Sequence, residues 1–195
     1  MAALAGSTLL ETRTFEVGRR AELVDWASGA AAIAIDSPDR WSSGPHRDDD
    51  SLAPKFRTAR CAEIGLGRQF GVWVSWATPT RPLVGSWMHV GIDLFAALRD
   101  NGHEPLEVYP FAAFSALAGG RSLPKKQTRA GRRERASLLS VSDGLSHDSL
   151  DACAAALVAR DHHDSRAAPA TCGHDGTAIW LPAGVTEAAT SLGRR

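Results

Sequence analysis

No uninterrupted apolar run in the 195-residue chain approaches the roughly 18 to 20 residues that span a bilayer. The N-terminus also lacks the charged-then-apolar order of a signal peptide, so no membrane association is expected. Net charge is absent: 22 basic side chains balance 22 acidic ones, and any affinity for nucleic acid has to come from local clustering. Cysteine is scarce. Cys61, Cys153 and Cys172 are odd in number and lack a CxxC spacing, which argues against a disulfide framework or a zinc module and points to a reducing cytoplasm. No P-loop pattern is present, and Gly65-Leu66-Gly67 continues to Gly71 with the wrong spacing for a dinucleotide loop. There is no internal repeat. A chain of this length buries a core without disulfides or structural metal, so a single domain over residues 1–182 is expected, with a frayed tail over 183–195. Abundant alanine and a preference for arginine over lysine are what GC-rich bacterial coding would produce.

The apolar patterning alternates between short strands and helices. Residues Ala2 to Phe15 suit an edge hairpin or one bent strand, and Arg19 to Ser28 a short helix stopped by Gly29. Ala31 to Ile35 is a short apolar run bounded by Gly29 and Ser37-Pro38, which reads as a buried parallel strand with Asp36 at its carboxyl end. In open α/β sheets ligands gather at that edge. Residues 37–53, with Asp48-Asp49-Asp50, read as a loop longer than a structural connection needs. Helices are expected over Pro54 to Gly65, Leu83 to Asn101, Pro110 to Leu117 and about Thr128 to Leu139. Another begins after Ser146 or His147 and carries Asp148 and Asp151. Short strands are expected at Pro105 to Tyr109 and Ala178 to Leu181, and Gly71 to Trp76 suits a strand or a buried loop. Trp73, Trp76 and Trp87 sit in apolar surroundings and read as core, although one could stack on a base.

Three carboxylates carry the candidate chemistry. Asp148 and Asp151, three apart at a helix start, share one face, and a strand-end Asp36 could meet them there. Carboxylates converging within a few ångströms hold hard divalent cations that activate water on a phosphodiester. The competing structural readings are a strand-exit acid bonding its own turn for Asp36 and helix N-capping for the other two. Glu107 lies between apolar neighbours, where a carboxylate is costly unless it is paired or cation-bound; a fourth ligand or an arginine partner is equally compatible. His147 reads as a proton shuttle or simply a polar helix-start residue. Asp161, His162, His163 and Asp164 read as a polar helix end. Between Arg121 and Arg135 the chain has seven basic residues and one acid. Lys125, Lys126, Arg129, Arg132 and Arg135 in that stretch could grip phosphates, or form a solvated helix face.

Several segments in order resemble a known family: IAIDSP at 33–38, FRTARCAEIG at 56–65, LEVYPFAAF at 106–114, LPKKQTRAGRRER at 123–135, HDSLDACAAALVA at 147–159 and GTAIWLP at 176–182. Together they resemble the predicted RNase H-like nucleases grouped as domain of unknown function 429, over about Ala31 to Pro182. The helix with two acids three apart is also similar to the last helix of Holliday-junction resolvases of that superfamily. The resemblance implies an α/β RNase H-like fold, a mixed sheet flanked by helices, and a nuclease dependent on Mg²⁺ or Mn²⁺ that acts on DNA or RNA. Asp36 then corresponds to the second-strand acid, Asp148 and Asp151 to the helix acids, and Glu107 belongs to a recurring motif. One departure stands out: such proteins begin with a strand ending in a Gly-(Val/Ile)-Asp-Gly type motif, whose aspartate is the central ligand. Here the chain opens on MAALAGSTLLETRTF, which implies either a start lying upstream or a shortened, inactive version lacking the central strand. Glu11 and Glu16 are the nearest acids that could substitute. The alternative is a non-catalytic RNase H-like module binding nucleic acid or a protein partner. A phosphotransferase of actin-like fold ranks last, since glycine-rich phosphate loops are missing.

Overall fold

A computed structural model describes residues 1–184 apart from Ser7 and Val17. The expected tail lies almost wholly outside the described residues. The elements run β1 (Ala2–Ala5), β2 (Thr8–Thr12), α1 (Arg20–Ala27), β3 (Ala34–Ile35), α2 (Cys61–Phe70), α3 (Trp87–Asp100), β4 (Leu106–Glu107), α4 (Pro110–Leu117), α5 (Arg129–Leu139), α6 (His147–His163), β5 (Ala168–Ala170) and β6 (Ile179–Leu181). The class is α/β, as expected, but the strands are short and form three two-stranded sheets.

Strand β3 pairs in parallel with β4, Ala34 opposite Leu106 and Ile35 opposite Glu107. A parallel bridge from Val108 to Trp180 carries this pair toward β6, which pairs antiparallel with β5. Side chains alternate across a strand, and β6 uses both faces. Ile179 and Leu181 pack with Phe56, Ile64, Leu66 and Ala170, whereas Trp180 packs with Phe114, Leu150 and Val158. Helices therefore cover both sides of this strip of sheet, α2 on one and α4, α5 and α6 on the other.

The N-terminal segment is a hairpin, β1 on β2. It lies against α6 and lines a pocket of about 760 Å³ together with residues of the 29–34 segment and the alanine face of α6. It pairs with itself, and among the described residues β3 has a strand partner only in β4.

Local chemistry sets the helix starts. Ser86, Thr128 and Ser146 each accept an N–H from the first turn of α3, α5 and α6, at 3.2, 3.0 and 3.1 Å. The expected helix over Pro54 to Gly65 is instead a 3₁₀ turn at Pro54–Phe56 followed by α2 from Cys61. Gly65 does not stop α2 but lets it approach the chain leaving β5. A Cβ there would lie 2.6 Å from Thr171 Cα, against backbone that cannot swing away. Gly65→Ala is expected to lower stability by about 1–3 kcal/mol, a fall in melting temperature of about 2–4 °C per kcal/mol. An unchanged thermal melt would show that the two segments can separate without cost. Among the described residues no helix is long and apolar enough to cross a membrane.

Candidate active site

Asp36 leaves β3 directly into a turn, and the first turn of α6 brings Asp148 and Asp151 to the same pocket. The three acids share that pocket with Lys126, whose ammonium lies 2.5 Å from an Asp151 oxygen. Asp151 is buried; Asp148 is 82 % exposed and has His147 Nε2 at 3.3 Å. His147 is thus a surface partner of Asp148. The acids do not form a tight cage: among the described residues the one group of three or more His, Cys, Asp or Glu side chains close enough to share a metal ion is elsewhere, at His46, Cys61 and Cys172.

The electrostatics report on the crowding. Asp36 is exposed by its surface area, yet the atoms crowded around it push its pKa up to about 7, desolvation first and the Asp151 charge second, with Lys126 opposing. Because the carboxylate still meets water, the part of the rise that a cation would relieve is the repulsion from Asp151. Lys126 is held charged: burial works against its ammonium, but the hydrogen bond to Asp151 and the charges of Asp151, Asp36 and Asp148 raise its pKa. Glu11 also lines this pocket, with Arg13 at 2.8 Å; nothing in its sequence spacing marked it.

Glu107, expected either as a ligand or as an arginine partner, is the latter. Both of its oxygens accept from Arg60, Nη2 at 2.5 Å and Nη1 at 2.6 Å, and one also accepts the Asp39 backbone N–H at 2.9 Å. It does not line the pocket. Arg60 is 1 % exposed and spends all five of its N–H groups: the two on Glu107, one each on Glu63 and Asp39 at 3.3 Å, and Nε–H on Thr78 at 3.2 Å. Burial opposes the guanidinium charge, but Glu107, Glu63 and Asp39 outweigh it and raise the Arg60 pKa. Burial likewise works against the Asp39 carboxylate, while Arg40 and Arg99 hold its pKa below the usual range. Three arginines thus balance three acids, and Glu107 ties down the turn after Asp36 through its bond to the Asp39 N–H.

The basic stretch divides. Lys125 and Arg129 are exposed, and Arg132 is half-buried with a guanidinium N–H on the Gln127 carbonyl at 2.8 Å. Arg135, expected on the phosphate-binding face, is buried instead: it donates to the Pro124 and Gly131 carbonyls at 2.8 and 3.0 Å and lies over the Phe114 ring. Its alignment with Arg132 along the sequence does not carry over, because α5 turns Arg135 toward α4 while Arg132 stays at the rim.

The tryptophans depart from expectation as well. Trp73, Trp76 and Trp87 are 42, 49 and 51 % exposed rather than core. Trp76 and Trp87 meet edge to face at 5.6 Å and, with Tyr109 and Phe111, wall a second pocket of about 320 Å³ that shares Asp36, Lys126 and Asp151 with the first. Sequence alone could not show this, since apolar neighbours in the chain are the same for a buried ring and for one framing a cleft.

Residues 75–172 match a family model described as "Protein of unknown function (DUF429)". The match spans just over half of the chain, which therefore belongs to that family. It contains Glu107, the basic stretch, Asp148 and Asp151, whereas Asp36 and Arg60 lie before it. No curated protein and no solved structure shows significant similarity to the chain.

Proposed function

We propose that the protein is a divalent-metal-dependent nuclease of RNase H-like type, in which Asp36, Asp148 and Asp151 hold Mg²⁺ or Mn²⁺. The observation that carries this reading is a pair of adjoining pockets joined at Asp36, Asp151 and Lys126, one holding the third acid, Asp148, and the other walled by aromatic rings. Hard oxygen donors with a raised carboxylate pKa fit a hard cation, which would relieve the repulsion between Asp36 and Asp151. When bound, the cation would supply an activated water and charge for the phosphate oxygens. The residues do the rest. Trp76, Trp87 and Phe111 offer faces for bases, Lys125 and Arg129 reach phosphates without reading sequence, and Glu107 and Arg60 fix the turn that aims Asp36.

A second reading, a non-catalytic nucleic-acid-binding module, is favoured by Lys126. Its ammonium already sits on Asp151, where it neutralises charge that a cation would otherwise take up. The two readings separate on cleavage of branched DNA and structured RNA in Mn²⁺. The enzyme predicts turnover that falls by about a hundredfold or more in Asp151→Asn and also in the exposed, fold-neutral Asp148→Asn. Nucleic-acid binding with no cleavage, and no saturable Mn²⁺ binding in calorimetry, would establish the module instead.

A further inference from the structure

Away from the acids, three chain segments meet on softer donors. His46 comes from the loop between β3 and α2 and is buried; Cys61 opens α2 and is fully buried; Cys172 lies between β5 and β6. His46 Nε2 stands 3.3 Å from Cys172 Sγ and 3.5 Å from Cys61 Sγ, and the three donor atoms all lie within 4.8 Å of one another. The two sulfurs are joined as a disulfide across 111 residues, with Cα atoms 4.8 Å apart. This corrects the expectation that no cysteines pair. Spacing along a sequence says nothing about which helix start meets which distant loop.

A disulfide does not account for His46. An imidazole nitrogen directed at both sulfurs from a third segment adds nothing to the S–S bond, but two thiolates and one imidazole are the donor set that zinc selects. We propose that in its dithiol form the chain binds one thiophilic divalent cation, Zn²⁺ above all, through Cys61 Sγ, Cys172 Sγ and His46 Nε2. His174 stands beside this group, its exposed ring centroid 6.4 Å from that of His46. Cys61 sits at the N-terminal end of α2, where the helix dipole favours the negative charge of a bound thiolate. Its backbone N–H is fixed by Asp175 at 3.0 Å, which helps hold the 171–177 loop in place as an outer support. Disulfide and metal exclude each other, because the sulfur electron pairs that bind the cation require the S–S bond to be broken. A phosphine reductant supplies the two electrons and becomes the phosphine oxide by taking its oxygen from water, leaving two thiols that each lose a proton on binding the cation.

This site is independent of the acid cleft, and its softness distinguishes it, as Mg²⁺ has no preference for thiolates. The test is a Co²⁺ titration of phosphine-reduced protein after a thiol count. The expected result is one equivalent bound, with thiolate-to-cobalt absorption in the near ultraviolet and the strong visible bands of a tetrahedral ion, all displaced by Zn²⁺. Cys172→Ser, at the half-buried position, should lose the charge-transfer band, and His46→Ala should weaken binding by at least about tenfold. Reduced protein that takes up no more Co²⁺ than Cys172→Ser overturns the proposal. So does a pair that stays oxidised in the folded chain under the reductant.

Discussion

Arg60→Met is expected to destabilise the fold by about 3–5 kcal/mol, because removing one partner of a buried charge network leaves the others uncompensated. Glu107 and Glu63 are 5 and 3 % exposed and would lose their only deeply buried cation. Urea unfolding at neutral pH measures the loss. Arg60→Lys is expected to recover little of it, since an ammonium has three donors and no planar fork to match the two bonds to Glu107. The sign of the pH dependence follows from Glu107. Burial alone raises its pKa, and without Arg60 nothing strong opposes the rise. The unfolded chain then ionises Glu107 first as pH increases, so the variant loses stability through that range and regains part of it on acidification. Arg60→Met combined with Glu107→Gln should be milder than Arg60→Met alone. If the single variant loses less than about 1 kcal/mol, the cluster is solvated and the turn after Asp36 is held by something else.

How much of this was legible in the sequence depends on whether the signal was local. The acid-bearing helix could be read because Ser146 caps it and an alanine-rich apolar run follows; α5 shares only the cap, from Thr128. Pro54 and Gly65 carry ordinary start and stop signals, which place a helix ahead of the observed α2. Tertiary packing overrode them, and Gly71, with φ 70°, supplies the actual stop. The convergence of Asp36 with α6 was expected from the strand-end position and the resemblance, and one pocket does contain them. The choice of Arg60 over a cation as the partner of Glu107 was invisible, because its acids are spread from residue 39 to 107 and no spacing rule connects them. Cys61, Cys172 and His46 pose the same problem over a longer separation. The exposed tryptophans show the converse limit: hydrophobicity predicts burial on average, and around this pocket that average fails.

The charge on Asp36 should set both metal affinity and stability across neutral pH, in opposite directions. Its folded pKa of about 7 lies above the ordinary aspartate value of 3.8, so between these values the folded chain holds a proton that the unfolded chain has released. Stability therefore falls as pH rises from about 4 to about 7 and levels off above. Asp36→Asn removes a charge that the fold disfavours, and should raise the melting temperature at pH 8 while changing little at pH 4. Metal binding runs the other way, because each bound cation has to displace that proton. Mn²⁺ affinity is expected to climb about tenfold per pH unit well below 7 and flatten above it, giving about a fiftyfold change between pH 5 and 7, and to be lost in Asp36→Asn. A variant more stable yet unable to bind metal is the signature of a carboxylate held in place for function against the preference of the fold. Asp36 carboxyl chemical shifts followed through pH measure the premise directly. A midpoint near 4 would mean that water and Lys126 already satisfy this charge, leaving the cleft without the electrostatic demand that a cation would meet.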